Sequence, residues 1–296
     1  MNNTIWNILL WFSFYKRGST IMKKYLSIDN NQIYVEEQGS GQAIIFLYTG
    51  LTSPLIWKKQ LDYFAQAFRT IRIDLPGSGN STVPKHRFSN ISIIKTVLDA
   101  LSIDNAVFVT SSISVNIVLS FAAEYPDKTK AMVFASPVLI GNKQPAQVRR
   151  EHQTLMKMLT NGKTEDLFNY LETSRFWSAQ VPHRHNREDY QIFTNAVKEN
   201  AKYFTWDHEV ASQYNKLNKN RIDKMNIPSL IIFGNREVTP IIASAIKIRT
   251  YIKNSFTHIL QDTGHFNFLE KPAEFNSLLE FFLKNSVFQV PAPVLE

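Results

Sequence analysis

The chain has no cysteine among its 296 residues. Disulfides, thiolate zinc centres and cysteine nucleophiles are excluded together, and the composition fits a reducing compartment such as the cytoplasm. Glycine is scarce, at 10 residues, where an average chain of this length would hold about 7%. Long apolar runs are missing too. The N-terminal stretch Ile5 to Tyr15 is interrupted by Asn7 and Ser13 and followed by Lys16 and Arg17, well short of the roughly 20 residues of a membrane helix. No basic region precedes it and no Ala-x-Ala-like site follows, so it matches a secretory signal poorly. Residues 1–21 are expected to form an extension, disordered or loosely docked, with Met22 opening the folded protein. Peripheral membrane contact through residues 5–15 is the alternative to a purely cytoplasmic protein.

Charge is unbalanced, with 33 Lys and Arg against 25 acids and a formal net charge of +8. Residues 1–30 carry four Lys or Arg and one acid, and residues 138–226 carry fourteen against ten. The basic residues are interleaved with acids and build no block, which reads as solvated surface and argues against a nucleic-acid partner. Hydrophobic residues make up 44% of the chain, enough for one large domain with an insertion.

From Lys24 onward, apolar runs alternate with helical periodicity. "QIYVEEQGSG", "AIIFLYTG" and "TIRIDLPGSGNS" read as strands ending in turns, "NAVFVT" and "KAMVFASP" as further strands, and "PSLIIFG" and "THILQDTG" as the last two. Between them, "PLIWKKQLDYFAQAF", "SNISIIKTVLDALSI", "ISVNIVLSFAAEY", "IIASAIKIRTYI" and "NFLEKPAEFNSLLEFFLK" have helical spacing. Strands this apolar, separated by helices, predict a mostly parallel sheet covered on both faces. Residues 138–226 interrupt this pattern with helix-compatible, aromatic-rich segments and no convincing strand. The expected organisation is therefore an α/β core from 22–137 and 227–296 with a helical insertion at 138–226. Most of the insertion's aromatics are expected in its own core, with Phe176, Trp177 and Trp206 taken as the ones facing a ligand.

The junction "NAVFVTSSISVNIVLSFAAEYPDK" places Thr110, Ser111, Ser112 and Ser114 where strand gives way to helix. A helix cap explains hydroxyl residues there. So does a nucleophile elbow, a strained turn that lifts a serine to the carboxyl end of the sheet, beside the amides of the next helix. Two partners follow in the order such chemistry requires. Glu237 lies just after the strand "LIIFG", where a carboxylate can orient an imidazole, and His265 lies on the turn after the last strand. A serine hydroxyl needs such a base to act as a nucleophile. His183-x-His185 with Asp189 imitates a metal site, but its charged, turn-like setting reads as a solvated loop, and "PGSGNS" lacks the Lys-Ser/Thr ending of a nucleotide loop. Neither a metal nor a cofactor is expected.

Together, "FLYTGLTSPLIW", "IDLPGSGNS", the serine junction, "FGNREVTP" and "DTGHFNFLEKP" resemble the α/β-hydrolase superfamily, in particular its esterase, haloperoxidase-like and C–C hydrolase branch, over about residues 25–285. The resemblance implies an α/β-hydrolase fold whose helical insertion is a cap. It implies Ser112 as nucleophile, His265 as general base and then acid, and Glu237 as orienting carboxylate. The backbone amides of Leu51 and Ile113 would form the oxyanion hole, and the substrate would be a small ester with an apolar or aromatic group. C–C hydrolysis or lyase chemistry with the same triad, or a ligand-binding member of the fold without turnover, are the alternatives. Three features depart from the family pattern: Thr49 stands where histidine is common, Thr110 and Ser114 replace the elbow glycines with Val115 beside them, and Glu237 replaces aspartate.

Overall fold

The computed structural model describes residues 20–141, 144–162, 164–182, 185–211, 222–223 and 225–288. The apolar stretch at 5–15 and His183 lie outside them. Eight strands form one sheet: β1 (Met22–Ile28), β2 (Asn31–Gln38), β3 (Ala43–Leu47), β4 (Arg69–Ile73), β5 (Ala106–Ser112), β6 (Thr129–Pro137), β7 (Ser229–Gly234) and β8 (Ser255–Leu260). Their spatial order is β1-β2-β4-β3-β5-β6-β7-β8. The pairings β1 with β2 and β2 with β4 are antiparallel, and every pairing from β4 to β8 is parallel. The sheet is thus mostly parallel, as its apolar strands predict. β1 carries no such signal, because all but one of its residues are partly or fully exposed.

Helices follow the strands: α1 (Lys58–Phe64), α2 (Asn90–Ala100), α3 (Val115–Glu124), α4 (Ala146–Thr160), α5 (Thr164–Thr173), α6 (Arg187–Glu199), α7 (Thr239–Tyr251), α8 (Asn267–Glu270) and α9 (Pro272–Phe282). Side chains alternate across a strand, so each central strand feeds two cores. Ile45, Phe108, Phe134 and Ile231 pack with Ile94 and Val97 of α2 and Val118 of α3. Phe46, Val107, Val133 and Ile232 pack on the other face with Leu61 of α1 and Phe275 and Leu279 of α9. Helices α4, α5 and α6 all lie between β6 and β7, and Leu155, Phe168 and Phe193 from them join the second core. Among the described residues, no helix is long and apolar enough to cross a membrane.

Candidate active site

The strand β5 ends at Ser112, whose φ is +56°. Left-handed backbone costs a residue with a Cβ about 1–2 kcal/mol, so this serine is held in a conformation that the surroundings must enforce. Ser114 occupies the N-cap position of α3 but makes no side-chain bond to that helix. Its Oγ instead accepts the Thr49 amide at 2.7 Å, with the Thr49 hydroxyl 3.1 Å away. The hydroxyl run is therefore not a simple helix cap. Val115 is fully buried in the core under the turn. Asn116 closes the turn from below, its Nδ2 donating to the carbonyls of Ile113 and Val138 at 2.7 Å each.

Glu237 and His265 meet. The Nδ1 of His265 lies 2.9 Å from Oε1 of Glu237, whose side chain has no exposed surface. A carboxylate only accepts, so Nδ1–H donates to it, and in that tautomer Nε2 carries the lone pair. The turn that carries His265 is pinned on both sides. The His265 amide donates to the Gln180 carbonyl at 3.1 Å, and the Gly264 amide donates to Oε1 of Glu270 at 2.9 Å. Only glycine fits at 264, since a Cβ there would stand 2.3 Å from the Ala179 carbonyl oxygen. Glu270 also pairs with Arg236. Burial outweighs both partners and pushes its carboxyl up to about 7.

Ser112 and His265 border the same cavity of about 350 Å³, together with Leu51 and Ile113. A smaller cavity of about 80 Å³ also touches both. The amides of Leu51 and Ile113, two residues that line this cavity with Ser112, donate to no protein group among the described residues. Tyr48, buried beside Ser112, has its phenol held well above the usual range by that burial, so its hydroxyl stays a neutral donor. His152 of α4 borders the cavity as well. Burial, helped by the neighbouring His265 ring, keeps it below the ordinary histidine range and neutral at pH 7.

The expected aromatic lining is partly corrected. Trp177 borders both cavities and Phe176 the smaller one. Trp206 borders neither. Its indole lies over Gly77, where a Cβ would stand 2.2 Å from Nε1, and it packs at a tilt against His208 and Phe88. Its neighbours Tyr203, Phe204 and His208 reach the large cavity in its place. The metal-like segment also resolves into a structural contact, because Asp189 is bound by Lys59 of α1 at 2.5 Å and by Asn186. Among the described residues no cluster of three or more His, Asp or Glu is placed to hold a metal.

A family model for the alpha/beta hydrolase fold matches residues 42–272. The chain belongs to that family. It is 24% identical over 265 residues to the 2-hydroxy-6-oxo-6-phenylhexa-2,4-dienoate hydrolase of Comamonas testosteroni, covering 85% of this chain and 91% of that hydrolase. It is 23% identical to the AB hydrolase superfamily protein YisY of Bacillus subtilis, over 84% of this chain and 94% of that protein. Among solved structures, Est816, described as an N-acyl homoserine lactone degrading enzyme, is 26% identical with a TM-score of 0.68, over 87% of this chain and 99% of that one. Within this hydrolase family, the cavity beside Ser112 and His265 is the candidate active site.

Proposed function

We propose that the protein is a serine hydrolase that cleaves a small, uncharged ester or lactone through an acyl-enzyme on Ser112. The observation that carries this is the Glu237–His265 hydrogen bond at 2.9 Å beside a cavity shared by His265 and a strained Ser112. The steps follow from those groups. His265 Nε2 takes the Ser112 proton as Oγ attacks the carbonyl, and the ring returns it to the departing alkoxide. Water, activated by the same nitrogen, then attacks the acyl-enzyme, releases the acid and restores Ser112. Glu237 fixes the ring's tautomer and stabilises the imidazolium. The Leu51 and Ile113 amides hold the oxyanion, each such donor being worth about 3 kcal/mol of barrier. The helices between β6 and β7 act as the cap, with Trp177 and Phe176 forming part of the substrate's walls.

The charge of the cavity bears on the substrate. Among the described residues, none that lines the large cavity is Lys, Arg, Asp or Glu, and His152 is neutral. Leu155, Met156, Leu159 and Phe204 supply an apolar wall. A carboxylate placed there would lose its water with no cation in return, at a cost of several kcal/mol. This favours an uncharged acyl group, such as the N-acyl lactones of Est816's description, over dienoates of the kind named for the C–C hydrolases. The test is a panel of p-nitrophenyl esters from acetate to decanoate beside a dienoate ketone, with wild type, Ser112→Ala and His265→Ala. Hydrolysis of the esters that vanishes in both variants is expected. Cleavage of the dienoate alone would move the assignment to C–C hydrolysis, and binding of the esters without turnover would move it to a ligand-binding role.

A further inference from the structure

We infer that Asn200, at the end of α6, is a positioning residue for the oxyanion hole, acting through the peptide group that joins Gly50 to Leu51. The inference rests on the function proposed above and adds a residue from outside the cavity to it. Asn200 is fully buried and is not itself among the residues lining the cavity. Its Nδ2 donates to the Gly50 carbonyl at 2.6 Å. Its Oδ1 accepts from the Ser78 hydroxyl and from the Gly79 amide, both at 2.8 Å. Because an amide N–H can only donate, the Gly79 contact settles which side of the Asn200 amide is oxygen, and the opposite side must be the donor that faces Gly50.

The geometry of a peptide group gives this bond its consequence. The carbonyl of Gly50 and the N–H of Leu51 belong to one planar trans unit and point in opposite directions. Holding the oxygen toward Asn200 therefore fixes the direction of the Leu51 N–H, which has no protein partner among the described residues and belongs to a residue lining the same cavity as Ser112. The bond also polarises the unit and makes that N–H a stronger donor. The fastener is needed because Gly50 sits at φ +114°, where glycine rotates easily and nothing crowds it, the nearest atom to an added Cβ being Ile113 Cγ2 at 4.0 Å. The rest of the loop is gripped by the same end of α6, since the Ser53 amide donates to the Ala196 carbonyl at 3.0 Å and its hydroxyl meets Glu199. One helix of the cap thus sets the aim of a core amide.

The test is Asn200→Asp, which keeps an acceptor for Ser78 and Gly79 but turns the donor toward Gly50 into a second oxygen. For a p-nitrophenyl ester, kcat is expected to fall at least about tenfold with KM within about twofold, because the oxyanion exists only in the transition state. Affinity for an alkyl boronic acid, which forms a tetrahedral adduct, should fall by the same factor as kcat/KM, while affinity for the uncharged alcohol product stays. Ser78→Ala, which loosens the Asn200 amide without removing it, should shift both quantities the same way by a smaller factor, and it carries the test if Asn200→Asp does not fold. A folded variant with unchanged kcat and boronate affinity, or a loss confined to KM, overturns the inference while the proposed function stands. A wild type that neither hydrolyses esters nor binds the boronate overturns both.

Discussion

Thr49 and Ser114, 65 residues apart in the chain, are joined by a 2.7 Å bond from the Thr49 amide to Ser114 Oγ. Both positions differ from the pattern that the resemblance to the hydrolase family implies, and the bond ties the loop after β3 to the turn after β5. Ser114→Gly should therefore reduce rather than improve activity, although it restores the common elbow residue. A loss of about tenfold in kcat/KM is expected, with about 1 kcal/mol of stability from the buried hydrogen bond. Thr49→Ala, which keeps the amide, should cost less, and a double-mutant cycle over the pair should give a nonzero coupling. Kinetics and urea denaturation of the four proteins check this, and an improved Ser114→Gly enzyme would contradict it.

Ser112 is held at φ +56°, and the strain predicts an inverse relation between stability and activity at this position. Ser112→Gly should stabilise the fold by about 0.5–1 kcal/mol, because glycine enters left-handed backbone freely, while esterase activity disappears. Ser112→Ala should lose activity without that gain. Thermal midpoints measured beside activity decide the matter, and equal midpoints for the glycine and alanine variants would count against strain at the elbow.

Glu270 links pH to stability. Its folded carboxyl is pushed up to about 7 from an ordinary 4.5, so the native state holds this proton more tightly than the unfolded chain does. The contribution is present below the unfolded value and is lost as pH climbs through about 7, by at most about 3 kcal/mol. Urea midpoints at pH 5 and pH 8 should therefore differ more for wild type than for Glu270→Gln, whose amide does not titrate. The same pH dependence in both proteins would refute this.

The cavity's apolar wall predicts a chain-length preference. Each added methylene buried against Leu155 and Leu159 is worth about 0.8 kcal/mol, roughly fourfold in kcat/KM, until the space is filled. Leu159→Trp should shorten the preferred acyl chain and leave acetate turnover near that of wild type. A flat profile across chain lengths would show that the acyl group binds elsewhere.

The parallel part of the sheet was legible because β3 and β7 are buried along their whole length and β5 and β6 at all but one residue each, and such strands read as nearly unbroken apolar runs. β1 was not legible, since its face of Lys23, Tyr25 and Ser27 is solvated. The order of Ser112, Glu237 and His265, each following a strand, pointed to one rim of the sheet. The clamp through Asn200 left no mark in the sequence, because a lone asparagine at a helix end reads as a cap and its partner Gly50 is 150 residues away. The place of Trp206 is hidden for a related reason: aromatic content marks a helical insertion, but which ring turns toward a cavity depends on contacts such as that with Gly77. Tyr48, buried beside Ser112 at the end of an apolar run, looks in the sequence like one more core residue.

An activated Ser112 Oγ should react covalently with an electrophile that mimics the acyl group. A fluorophosphonate incubated with the folded protein, followed by intact-mass and peptide-mass analysis, should add one adduct per chain, located on Ser112. Labelling should be abolished in Ser112→Ala and strongly slowed in His265→Ala. Folded wild-type protein that stays unmodified, or an adduct that persists in Ser112→Ala, would rule out Ser112 as the nucleophile.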